Sequence, residues 1–181
     1  MTNKILKKLL DGNKEYIDAK RNHLGDISKE IREKTHHYGQ KPLACIICCS
    51  DSRVIPEKIF MVGIGSIFVI RIAGNVLDNY GLGSVEYAIH HLNTKLIMVL
   101  GHTKCGAVTS AIHKETGEYV SYLLKEIEDA IDGEEDITKA SMKNVMHTVH
   151  KVKALLPKDD DSYSVIGAIY HTLSGKVEIL R

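Results

Sequence analysis

Ile5, Leu9, Leu10, Tyr16 and Ile17 recur among charged neighbours with a helical period, which predicts N-terminal helix with one apolar stripe. Asp11-Gly12 predicts an interruption that divides this stretch into shorter pieces. Residues 23–40 are more polar and suit a helix followed by a loop. The pattern then changes: Leu43 to Cys48 is short, almost wholly apolar and preceded by Pro42, as expected of a parallel strand buried on both faces.

Ser66 to Arg71 predicts a second strand and Lys95 to Leu100 a third, with a helix from about Ser84 to His91 between them. Ser84 is the expected cap of that helix, and Val85, Ala88 and Ile89 its inward face. Strand, helix and strand on this scale predict a right-handed parallel crossover. After a compact turn over Gly101 to Gly106, a helix is expected from Ala107, then longer ones over Tyr119 to Ile131 and Glu135 to Leu156, parted by Asp132-Gly133. Pro157 to Asp161 is a polar break, and Tyr163 to His171 and Lys176 to Leu180 flank a Ser174-Gly175 turn as a closing strand or hairpin. The expected fold is therefore α/β, a mostly parallel sheet flanked by helices with an N-terminal helical segment. A length of 181 residues favours one domain over 1–181, with residues 1–40 assigned to packing or dimerisation.

Charge narrows the classes of partner. Lys and Arg number 24 against 23 Asp and Glu, so the field of the whole chain attracts neither nucleic acid nor an anionic membrane. The first residues lack the apolar core and cleavage site of a secretion signal, and no apolar run approaches the roughly 18 residues of a membrane span. A small neutral or anionic substrate is the least demanding expectation. Three of the four cysteines fall at 45, 48 and 49, a poor disulfide framework that points to a reducing cytoplasm. Cys45 and Cys48 are expected as buried core thiols on alternate faces of the first strand, against the other reading of their spacing as a redox dithiol.

The chemistry gathers where strands end. Cys49 follows the first strand, and His102 and Cys105 follow the third; in a doubly wound sheet the carboxyl ends of neighbouring strands face one crevice, so distant residues can converge there. Two thiolates and an imidazole suit Zn2+, whether in a catalytic site or a closed structural one, although ordinary buried or loop residues would satisfy the same spacing. Asp51 and Arg53 form either a plain loop ion pair or a pair acting beside the metal. Gly106 is a candidate substrate contact, with a simple helix-start glycine as the alternative. His90 and His91 lie on the Ser84 helix, which does not put them in the crevice, and Gly74, Gly81 and Gly83 complete no nucleotide-binding fingerprint.

Cys49-Ser50-Asp51-Ser52-Arg53 together with Gly101-His102-Thr103-Lys104-Cys105-Gly106 closely resembles the two signature segments of the beta-class carbonic anhydrases. The resemblance continues through Phe68 to Asn75, Gly83 to Ala88, Gly167 to Tyr170 and Gly175 to Val177, from about residue 42 onward. It implies zinc held by Cys49, His102 and Cys105, with Asp51 and Arg53 hydrogen-bonded beside it and either orienting the attacking oxygen or closing the fourth position. The implied reaction is hydration of carbon dioxide to hydrogencarbonate; hydrolysis of carbonyl sulfide or carbon disulfide, known from relatives of this architecture, is the close competitor. It also implies a homodimer or an assembly of dimers. The family's usual Arg-Asn-Ala-Gly-Asn is here Arg71-Ile72-Ala73-Gly74-Asn75, and Ile72 cannot reproduce the hydrogen bonds of an amide.

Overall fold

A computed structural model describes residues 1–18, 25–156 and 162–180. Five strands form one sheet in the order β2-β1-β3-β4-β5: β1 (Ala44–Cys48), β2 (Ile67–Arg71), β3 (Leu96–His102), β4 (Ser164–Tyr170) and β5 (Val177–Ile179). β1 to β4 run parallel and β5 returns antiparallel beside β4, so the closing segment is a hairpin whose first arm is the last parallel strand. The polar break expected at Pro157 to Asp161 lies outside the described residues, as does the start of the 23–40 segment.

β1 is buried at every position because layers cover both of its faces. Ala44, Ile46 and Cys48 join Leu96, Met98 and Leu100 of β3 under α1 (Thr2–Ile17) and α3 (Pro56–Ile59), whose Leu9 and Ile59 enter this core. Cys45 and Ile47 face the other way, towards Val85, Ala88 and Ile89 of α4 (Asn79–His90) and Val145, Val149 and Val152 of α7 (Ile137–Lys153). Ile46 and Ile47 thus bury on opposite faces, each contributing about 1.5–3 kcal/mol. α2 (Lys29–Tyr38) is capped by Ser28, whose hydroxyl accepts from the Ile31 amide. α5 (Gly106–Ile112) and α6 (Val120–Ile131) bring Val108, Leu124 and Ile127 into a third core, which also takes in Cys49 and Cys105.

Two local expectations fail for identifiable reasons. α1 runs unbroken through Asp11-Gly12. Asp11 is paired with Lys7 and Lys14 on the same helix, and at Gly12 an added Cβ would collide with the Phe60 carbonyl. The glycine marks close packing of α1 on the segment after α3, which offsets the roughly 1 kcal/mol a helical glycine costs relative to alanine. α4 begins five residues earlier than expected, and Asp78 rather than Ser84 caps it: the Asp78 carboxylate accepts from the Gly81 amide at 2.8 Å, while the Ser84 hydroxyl donates back to the Tyr80 carbonyl. Gly81 and Gly83 read as loop and concealed the first turn.

The order 2-1-3-4 places the reversal of winding between β1 and β3. The crevice beyond the carboxyl ends of those two strands is where ligands bind in doubly wound sheets. Cys48 lies beside Leu100 in the register, so Cys49 leaves the sheet close to where His102 ends β3.

Candidate metal centre

The loop after β1 and the turn after β3 deliver three donors to that crevice. Cys49 Sγ, His102 and Cys105 Sγ offer ligand atoms that all lie within 4.8 Å of one another, and all three residues are buried. His102 Nδ1 is 3.0 Å from the Thr103 carbonyl, and donating there selects the tautomer whose Nε2 carries the free lone pair. That Nε2 is buried without a hydrogen-bond partner among the described residues. An orphaned imidazole nitrogen beside two thiols is a poor arrangement for a dry core and a fitting one for a soft, tetrahedral cation, so the donor set fits zinc.

The two thiols are unequal. A hydrogen bond from the Cys105 thiol brings Cys49 down to about 4, and the same shared proton pushes Cys105 well up. The Gly74 amide donates to Cys49 Sγ at 3.2 Å and the Asp51 amide at 3.4 Å, so the sulfur receives donors from two loops. On Cys105 the amides of Ala107 and Val108, at the start of α5, act in the opposite direction to the shared proton.

Asp51 and Arg53 form a bidentate pair. Arg53 Nε donates to Asp51 Oδ1 at 2.9 Å and Nη2 to Oδ2 at 2.7 Å, while the Arg53 amide adds a third bond to Oδ1 at 2.9 Å. The guanidinium holds the Asp51 carboxyl far below the usual carboxylate range. Arg53 also donates to the Lys104 carbonyl at 3.1 Å, which ties the Cys49 loop to the His102–Cys105 turn. Asp51 Oδ2 stands 3.9 Å from His102 Nε2, at the edge of the donor cluster.

A second arginine braces the same loop. Arg71, the charged end of β2, donates through Nη2 to the Asp51 carbonyl at 2.9 Å and through Nε to the Cys49 carbonyl at 3.3 Å. A lone arginine closing an apolar strand at this edge was the available signal. Gly106 opens α5 with space beside it, since an added Cβ would meet nothing within 4 Å. Its surroundings therefore leave room for a small ligand without requiring glycine for the fold. Ile72 is held through its backbone, with its amide donating to the Cys48 carbonyl and its carbonyl accepting from the Asn75 amide, and its side chain packs against the third core. His90, the last residue of α4, and His91, its C-cap, are exposed, and His91 stacks on Tyr87.

Cys45 and Cys48 lie in the cores on opposite faces of the sheet, and burial pushes both thiols up to about 12. Neither is poised as a thiolate nor able to pair with the other as a redox dithiol. Cys45→Ala and Cys48→Ala are each expected to cost about 1 kcal/mol of stability through a small cavity while keeping one zinc per chain. Loss of zinc from either folded variant would show that the wrong cysteines have been assigned.

A family model described as carbonic anhydrase matches residues 44–177. Carbonic anhydrase 2 of Mycobacterium tuberculosis is 34% identical over 191 aligned positions, covering 97% of this chain and 90% of the relative. A carbonic anhydrase of Mycolicibacterium smegmatis is 31% identical over 188, covering 96% and 90%. Among solved structures, the beta-carbonic anhydrase of Coccomyxa superposes with a TM-score of 0.72 at 26% identity, covering 95% of this chain and 84% of that one. The beta-carbonic anhydrase CafA of Aspergillus fumigatus gives 0.74 at 26%, covering 84% and 83%. The metal-binding donor set, the doubly wound sheet and these relatives agree: the chain belongs to the beta-class carbonic anhydrases, zinc enzymes that interconvert carbon dioxide and hydrogencarbonate.

Proposed function

We propose that Cys49, His102 and Cys105 hold the catalytic zinc, that Asp51 and Arg53 direct the attacking oxygen, and that Gly106 contacts the substrate. The observation that carries this reading is the convergence of three buried donors within 4.8 Å of one another beside a carboxylate clamped by a guanidinium. The reaction adds water to carbon dioxide and releases hydrogencarbonate and a proton. Zinc, when bound, supplies a Lewis acid that makes water nucleophilic near neutral pH.

The chain's own residues do the rest. Thr103 sets the His102 tautomer through its carbonyl, and Gly74 and Asp51 steady the Cys49 sulfur through their amides. Arg53 occupies both Asp51 oxygens and keeps the carboxylate ionised, so that Asp51 accepts a hydrogen bond from the attacking water and aims its oxygen at the substrate carbon. Arg71 keeps the loop carrying Cys49 and Asp51 in register with β2. The open side of Gly106 leaves a small linear molecule room next to Cys105.

The proposal extends to organisation. The chain acts as a single domain over 1–181, supported by Leu9 of α1 sharing a core with β1 and β3. It assembles as a homodimer or an assembly of dimers, for which β2, at one edge of the sheet among the described residues, offers a strand edge to a second copy. A cytoplasmic location is supported by four free cysteines. Among the described residues no helix is long and apolar enough to cross a membrane.

Stopped-flow carbon dioxide hydration, followed as zinc is titrated into metal-free protein, tests the functional reading. Activity should rise in proportion to added zinc and level off at one equivalent per chain. No hydration by fully loaded protein would overturn it.

A further inference from the structure

We propose that Asn144, seconded by Thr148, is a positioning residue for the metal centre: from α7 it holds the turn whose Gly74 amide hydrogen-bonds to the Cys49 sulfur. This rests on the reading of Cys49 as a zinc ligand. Asn144 and Thr148 are four residues apart, on one side of α7, and each is only 1% exposed. Their apolar neighbours Val145 and Val149 pack into the core under the sheet. Polar side chains in such a place are costly unless they bond to something that needs them.

Both bond to the same turn. Asn144 Nδ2 donates to the Gly74 carbonyl at 2.6 Å, and Thr148 Oγ1 donates to the Asn75 carbonyl at 3.2 Å. The peptide on the other side of the Gly74 Cα carries the result, because its N–H, that of Gly74, points at Cys49 Sγ from 3.2 Å. Gly74 has φ of 67° and an added Cβ would come within 2.6 Å of Ile127 Cδ1, so this turn requires glycine. Asn144 Oδ1 is buried with no hydrogen-bond partner among the described residues. An amide kept there at that cost is retained for its donor, since a leucine would pack without an unsatisfied oxygen.

An N–H aimed at a thiolate withdraws electron density from the sulfur and fixes the direction of its lone pairs. Without the Asn144 donor the turn loses the shorter of these two hydrogen bonds from α7, and the amide moves off the sulfur. Asn144→Ala should then lower zinc affinity by about 10-fold, the lower end of what ligand-orienting partners are worth. With cobalt(II) bound in place of zinc, the thiolate-to-metal charge-transfer absorption should move to longer wavelength.

A merely structural role would not move that band. Ser141 makes the comparison: it is also buried on α7, but its hydroxyl donates only to Ile137 of its own helix, so Ser141→Ala should leave affinity and spectrum as in the native protein. Thr148→Val keeps the side-chain shape and should shift the band in the same direction by less. Native affinity with an unmoved band in Asn144→Ala overturns the proposal, as does a Ser141→Ala variant that behaves like Asn144→Ala. Should Asn144→Ala fail to fold, an unmoved band in Thr148→Val overturns it as well. A native cobalt protein with no thiolate band at all would instead remove Cys49 and Cys105 as ligands, and this proposal with them.

Discussion

Asp51→Asn is expected to keep its zinc and to hydrate carbon dioxide at least about 10²-fold more slowly than the native chain, the lower end of what a positioned proton acceptor contributes. Asp51 now accepts three hydrogen bonds from Arg53, one of them from the Arg53 amide. Asparagine has one acceptor oxygen in place of two, and its amide would face the guanidinium or the attacking water with a donor. The proposed zinc ligands are Cys49, His102 and Cys105, so occupancy should survive. pH separates this role from simple titration. Arg53 holds the Asp51 pKa far down, and a group with a depressed pKa is ionised at every pH above it. Native kcat/KM should therefore rise from mildly acidic to alkaline pH without Asp51 changing charge, and the variant should remain slow throughout. A fully zinc-loaded Asp51→Asn protein with native rates across that range would eliminate Asp51 from the reaction.

Much of the scaffold was legible because its strands are extreme. β1 is buried at all five positions and β3 at all seven, and only continuous apolar runs can fill such strands. A crevice shared by the carboxyl ends of neighbouring strands was expected of such a sheet, and the structure places it between β1 and β3. The polar boundaries were harder. The Asp78 cap and the first turn of α4 were hidden by Gly81 and Gly83, and the continuity of α1 depends on a glycine whose purpose is contact with Phe60. In both cases tertiary packing decides what a local breaker signal means.

The site divides in the same way. Cys49, His102 and Cys105 stand at strand ends, where the pattern of strands predicts convergence, and the signature segments resemble a family in which these residue types bind zinc. Asp51 and Arg53 were visible as a pair two residues apart. Their supports were not. Arg71 reaches the Cys49 carbonyl across 22 residues, Gly74 reaches the Cys49 sulfur across 25, and Asn144 reaches Gly74 across 70. No spacing rule links such positions before the fold brings β2, the turn after it and α7 to one crevice. Asn144 in particular sits in a helix whose apolar neighbours give the stronger signal.

The ligand assignment predicts the other large effect. Cys49→Ser, His102→Ala and Cys105→Ser each remove one of three protein donors. If the roughly 10–16 kcal/mol of apparent binding free energy at a structural zinc site is shared among four ligands, each is worth about 3 kcal/mol, or roughly 10²-fold in affinity. The loss should be larger in hydration than in folding, because β1, β3 and their two cores remain in place. The most direct measurement is the zinc-to-protein ratio of the native chain and these three variants after equilibration against the same chelator. The account predicts one zinc per native chain and a strongly reduced ratio in each folded variant; a variant that holds zinc as tightly as the native chain would contradict it.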